Sequence, residues 1–112
     1  MSRVRSDTDV FHAIADGTRR GLLDALAEGE QPVGALAERF DVSLPAISQH
    51  LKVLREVGLV GVREAGRQRI CHLQAEGLLT VASWVGRYVE FWRARLLALD
   101  RHVRKRKEDR SR

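Results

Sequence analysis

The sequence predicts a mainly α fold with a small β-hairpin and a long C-terminal helix, and three observations carry that prediction. Through the first half of the chain, apolar residues recur at helical spacing in short blocks bounded by Gly, Pro, Asp or Ser. Around Ala65-Gly66, alternating residues then mark a hairpin. From Leu78 to Val103, apolar residues follow one another at intervals of 4, 3, 4, 3, 4, 3 and 4, a sustained heptad seam.

The 112 residues, 44% of them hydrophobic, suit one small domain over residues 1–112. A chain this short buries a modest fraction of its surface alone, so a partner chain would help it. The opening MSRVRSDTD has no apolar run that could act as a signal peptide or membrane span, which predicts a cytoplasmic protein. Cys71 is the single cysteine, which excludes an intramolecular disulfide and a cysteine-pair zinc clip. It reads as a small buried strand residue, because no resolving thiol accompanies it.

Taken in order, residues 8–15 (TDVFHAIA) form a first helix. Asp16 stands at the N-cap of a second, spanning about 17–28, in which Leu22, Leu23, Leu26 and Ala27 keep helical spacing and Gly29 is the stop. Pro32 fits the first turn of a short third helix, VGALAERF, ending at Phe40. Ser43 caps the next helix, about 43–57, and Pro45 is tolerated there because first-turn amides have no intrahelical acceptor.

On a wheel of 100° per residue with Ile47 at zero, Leu51 and Leu54 fall within about 40° of it. Pro45, Ser48, Gln49, Lys52 and Glu56 lie between about 100° and 200°. One face packs and the other is free, although a polar face alone argues only solvation. The stretch of about 59–74 is a two-stranded wing: Val60 and Val62 alternate with small or polar residues, Ala65-Gly66 turns, and Ile70, Cys71 and Leu73 return. Arg63, Arg67 and Arg69, with Gln68 between them, form a guanidinium cluster on or beside its tip.

Charge follows the same division. Residues 1–42 carry five Arg against eight Asp/Glu, and residues 43–73 carry five Lys/Arg against two Glu. The last twelve residues, RHVRKRKEDRSR, hold seven Lys/Arg against two acids, either a solvated end or a nucleic-acid arm. Two short helices joined by a tight turn, the second with a free polar face, then a basic hairpin, make the layout of a winged helix-turn-helix. In that layout hydroxyl and carboxamide groups meet base edges in the major groove, and lysine meets phosphate.

The final helix, about 77–104, carries the seam Leu78, Ala82, Val85, Val89, Trp92, Leu96, Leu99 and Val103. Val81, Trp84, Tyr88 and Phe91 add a second apolar stripe. A helix of about 27 residues is about 40 Å long, longer than a small domain is wide, so the seam is expected to pair with a second copy of the chain. Arg87, Glu90, Arg93 and Arg95 rule out a membrane span.

The runs FHAIADGTRRGLLDALAEGE, VGALAERFDVSLPAISQHLKVLREVGLV and REAGRQRICHL resemble the ArsR-type bacterial transcriptional regulators, over roughly residues 9–99. The resemblance implies a homodimeric repressor that binds double-stranded operator DNA and leaves it when an effector binds. It places base-reading positions at Leu44, Pro45, Ser48 and Gln49, with Ser43, Lys52 and the wing residues Arg63, Arg67, Gln68 and Arg69 alongside. Leu44 replaces a residue that is often polar, so a thymine methyl contact suits it. His50, at about 300° on the wheel, is mainly structural, with a phosphate contact as the lesser role.

Many such regulators bind metals through a Cys-x-Cys pair, whose positions here are Pro32 and Gly34. A second family site corresponds to Ala75, Gly77, Tyr88 and Phe91. Neither Pro32 nor Gly34 can bind a metal ion through its side chain, the second site lacks its Asp, His and Glu ligands, and Asp100-Arg-His102 lies beyond the aligned region. No metal and no cofactor are therefore expected, and the effector stays unnamed. The competing readings are a metal-responsive repressor with a non-standard site and a winged-helix interaction module that does not use DNA. An enzyme has little support: the chain has no Gly-rich phosphate loop, nucleophile elbow or paired carboxylates in a cleft motif.

Overall fold

The computed structural model describes residues 7–110. Its elements run α1 (Asp7–Ile14), α2 (Gly17–Glu28), β1 (Gln31–Pro32), α3 (Val33–Glu38), α4 (Leu44–Glu56), β2 (Val60–Ala65), β3 (Gln68–Leu73), a 3-10 turn (Ala75–Leu78) and α5 (Leu79–Arg110). Two compact units divide after Thr80, where the composition suggests one. The second is helix alone, and none of the described residues of α5 is buried within the chain.

In the first unit, Asp16 accepts the Arg19 backbone N–H at 3.0 Å and so caps α2. That hydrogen bond is the main cause holding the Asp16 carboxyl below its ordinary value. The two arginines that follow close the α1–α2 junction. Arg19 donates to the carbonyls of Ala13 and His12, and Arg20 to those of Ile14 and Ala15, so carbonyls left open where α1 ends find partners. Leu22, Leu36, Ile47, Leu54, Leu59 and Val60 are fully buried with Cys71. Each large aliphatic side chain among them contributes about 1.5–3 kcal/mol by leaving water.

The segment after α2 departs from expectation. Gln31 and Pro32 do not open a helix; they pair antiparallel with Cys71 and Ile70, making a three-stranded sheet in the order β1-β3-β2. Proline has no N–H to give a ladder, and an edge strand tolerates that loss. Pro32 then acts as the N-terminal cap residue of α3, with φ −62° and ψ 151°. The helix stops at Glu38, two residues short of the expected Phe40.

The hairpin closes where Ala65 pairs with Gln68, leaving Gly66 and Arg67 as the turn. Gly66 has φ +64° and Arg67 does not share the positive φ, the pattern of a type II′ turn, for which Gly at the first central position is favoured. Deeper in the sheet, His72 lies opposite Gly61, and any Cβ there would collide with the imidazole ring.

At 32 residues α5 is about 48 Å long. The C-terminal half of the seam is exposed in the single chain, with Trp92 51% exposed, Leu96 64% and Leu99 58%, while Leu78, Val85 and Val89 are half-buried. Trp84 meets Tyr88 edge-on with centroids 5.5 Å apart, and Arg95 lies 4.4 Å over the Phe91 ring. The basic end, expected as a solvated tail or arm, continues the helix through Arg110 and is exposed throughout. Among the described residues, no helix is long and apolar enough to cross a membrane.

Candidate nucleic-acid interface

Local chemistry sets the free face of α4. The Ser43 hydroxyl accepts the Ala46 N–H at 3.3 Å, and Pro45 sits in the first turn. Ile47, Leu51 and Leu54 are then driven inward, which leaves Leu44, Pro45, Ser48, Gln49 and Lys52 exposed. Leu44, 52% exposed, is a large apolar side chain standing in water.

A groove of about 570 Å³ runs between α3, the first turns of α4 and the hairpin tip. Leu44 and Ser48 line it with Arg67, Gln68 and Arg69, so residues close to twenty or more positions apart meet at one surface. Glu38 is its one acidic lining residue. Lys52 shares a neighbouring recess with Ser48 and Arg69. Pro45 and Gln49 are exposed on α4 beside these hollows and line neither.

Two residues of the expected set lie elsewhere. Arg63 is paired across the strands with Ile70, and Arg69 with Glu64, so the two guanidinium groups leave opposite faces of the hairpin. Arg63 forms an ion pair with Glu30, whose carboxyl it holds below the ordinary value, and the three wing arginines are therefore not one cluster. Glu30 lies 33 residues away, beyond the reach of a local reading.

His50 is the other. Its Nδ1 lies 3.3 Å from Nη1 of Arg19 and 3.9 Å from Oδ2 of Asp16. A guanidinium can only donate, so the contact is a hydrogen bond in the tautomer that leaves Nδ1 as the acceptor. The Asp16 separation is too long for a hydrogen bond, and the Arg19 contact governs. This tie joins half-buried His50 to the start of α2.

Sequence reasoning overlooks Arg55. It lines the recess with Lys52, three residues before it on the helix, and its wheel angle of about 80° could have placed it there. Cys71 is fully buried, and that burial pushes its thiol up. Of the family's metal positions, Pro32 is in β1, Gly34 in α3, Ala75 and Gly77 in the 3-10 turn, and Tyr88 and Phe91 on α5. Among the described residues, no group of three His, Cys, Asp or Glu side chains could hold a metal ion.

A helix-turn-helix domain profile matches residues 14–63, from the end of α1 into β2. The chain is 44% identical over 88 residues to the HTH-type transcriptional regulator Rv2034 of Mycobacterium tuberculosis, covering 79% of this chain and 82% of that one. The chain belongs to the ArsR family of winged helix-turn-helix transcriptional regulators. Within the family, it is 33% identical to the transcriptional repressor SdpR of Bacillus subtilis over 81 residues, 72% of this chain and 90% of the repressor. A crystal structure of an ArsR family transcriptional regulator, RHA00566, superposes with a TM-score of 0.69 at 32% identity, covering 83% of this chain and 97% of that one. The homodimeric winged helix-turn-helix DNA-binding domain Mb0332 of Mycobacterium bovis, solved in solution, has a TM-score of 0.61 at 30% identity, covering 75% and 80%.

Proposed function

We propose that this ArsR-family regulator is a homodimeric, cytoplasmic repressor that binds double-stranded operator DNA and is released by a signal other than a metal ion. The observation that carries the reading is the single groove joining Leu44 and Ser48 of α4 to Arg67, Gln68 and Arg69 of the hairpin. In the major groove, Leu44, Pro45, Ser48 and Gln49 meet base edges, Ser43 and Lys52 stand beside them, and Arg67 and Arg69 hold backbone phosphates. Helix and wing thereby divide the work. Phosphate contacts set register, and base contacts set sequence.

The dimer rests on α5, where Leu78, Ala82, Val85, Val89, Trp92, Leu96 and Leu99 keep a heptad seam and Trp92, Leu96 and Leu99 are each more than half exposed in the single chain. A similar fold, that of Mb0332, is described as homodimeric. The non-metal signal rests on the side chains at Pro32, Gly34, Ala75, Gly77, Tyr88 and Phe91, none of which is a metal ligand of the kind such sites use. The test is selection of bound fragments from the host genome, followed by affinity against salt on the fragment recovered. A repressor of this kind gives a defined fragment and a steep log–log slope, whereas an interaction module gives neither.

A further inference from the structure

Between α4 and the sheet lies a recess of about 230 Å³ whose polar lining is cationic. Lys52 and Arg55 reach it from successive turns of α4, Arg69 reaches it from β3, and the Ser48 hydroxyl joins them. Buried Cys71 and half-buried Val62 are among its apolar lining. No carboxylate lines it, and none of the three cations has an ion pair or side-chain hydrogen bond among the described residues. The charges of Arg69 and Arg55 are both felt at the Cys71 thiol, where they oppose the upward push of burial.

Four other arginines of the first unit have partners, whereas Arg67 at the hairpin turn has no ion pair or side-chain hydrogen bond among the described residues. Arg63 has Glu30, Arg39 has Glu28, and Arg19 and Arg20 have the carbonyls at the end of α1. Three like charges around one hollow repel one another, and an anion seated among them removes that repulsion while accepting charge-assisted hydrogen bonds. A guanidinium presents a fork that matches phosphate oxygens, and an ammonium adds a point charge.

We infer that this recess is a seat for a phosphate-type oxyanion, held by Lys52 and Arg55 from α4 and Arg69 from β3, with Ser48 at its edge. The oxyanion has two sources, free phosphate in solution or a phosphodiester of bound DNA. Only the second rests on the proposed operator binding. In either case occupancy cross-links α4 to the hairpin and fixes the wing against the helix. A free anion in the seat would compete with DNA for the same cations.

The experiment titrates inorganic phosphate into the full-length protein at constant ionic strength, with chloride as the exchanged anion, and follows the Nε–Hε NMR signals of Arg55 and Arg69. If the source is free phosphate, the wild type saturates, Arg55→Gln and Arg69→Gln bind phosphate about tenfold more weakly, and Arg87→Gln on α5 behaves as wild type. Phosphate then also displaces operator DNA at fixed ionic strength. If the source is DNA, free phosphate gives no saturation, but Arg55→Gln lowers the salt slope of operator affinity by about 0.9. A response to phosphate that never saturates and is the same in Arg55→Gln, together with an unchanged salt slope, overturns the inference. Should the wild type bind no DNA, the operator reading fails by itself, and the phosphate titration alone decides the seat.

Discussion

Arg63 and Arg69 stand on adjacent strands of one hairpin and leave it on opposite faces. Arg63 pairs with Glu30, while Arg69 opens toward Ser48 and Lys52 of α4. The distinction separates two residues that sequence alone groups together. Arg67→Ala and Arg69→Ala are expected to weaken binding to every DNA sequence and to lower the salt slope by about 0.9 for each phosphate no longer neutralised. Arg63→Ala should leave the slope unchanged, because its charge is already engaged by Glu30. A fall in slope for Arg63→Ala equal to that for Arg69→Ala would place the outer face of the hairpin on DNA.

Assembly can be tested without damaging the monomer. Leu96 is 64% exposed in the single chain, so Leu96→Glu leaves the core of the first unit intact. It does place a charge in the seam. Each copy loses about 1.5–3 kcal/mol of apolar burial, enough to weaken the dimer about tenfold or more, and operator binding should fall with it. Sedimentation reads the first effect and DNA titration the second. A wild-type chain that sediments as a monomer at micromolar concentration contradicts the seam's role.

Much of α4 is legible in the sequence because its determinants are local. Ser43 caps, Pro45 fits the first turn, and Ile47, Leu51 and Leu54 repeat within three turns. The features that escape depend on distant partners. Gln31–Pro32 is a strand only because Cys71 and Ile70 lie beside it, and two residues carry no periodicity of their own. Glu30 pairs with Arg63 across 33 residues, a separation no local reading spans. The basic end reads as a tail because like charges repel, yet Asp100 and Arg104 form an i,i+4 ion pair at 3.2 Å and the helix runs on. Arg55 is visible on the helical wheel, but only the fold shows that it shares a recess with Arg69.

The Asp16 cap gives a pH signature. Its folded pKa is lowered, chiefly by the Arg19 N–H, so the ionised form stabilises the fold. That contribution is complete above the ordinary carboxylate value of 3.8 and is lost as pH falls below it through the folded pKa. Asp16→Asn keeps a capping acceptor and removes the titration. Thermal unfolding should therefore find the wild type more stable at neutral pH, with the difference shrinking as pH drops below about 3.8. A difference that stays constant over that window would show that the carboxylate charge has no role.

Metals give a sharp negative expectation. One equivalent of zinc, cadmium, nickel or arsenite should leave operator affinity unchanged, since Pro32, Gly34, Ala75, Gly77, Tyr88 and Phe91 fill the family's ligand positions. Release of DNA by one equivalent, abolished by Cys71→Ser or His102→Ala, would reveal a metal site of a different kind.

The central claim is that the free face of α4 reads bases while its cations hold the backbone. Gln49 has a donor and an acceptor that match N6 and N7 of adenine, and losing such a pair costs about 1–3 kcal/mol of discrimination. Lys52, a turn further on, is a point charge suited to phosphate. The most direct measurement is a binding series over single-base operator variants for Gln49→Ala and Lys52→Ala. Gln49→Ala is predicted to relax preference at one base pair in each half-site with non-specific affinity intact, and Lys52→Ala to weaken every sequence alike. Uniform loss in both variants with an unchanged preference profile would contradict the claim and move specificity to Leu44, Pro45 or the shape of the DNA.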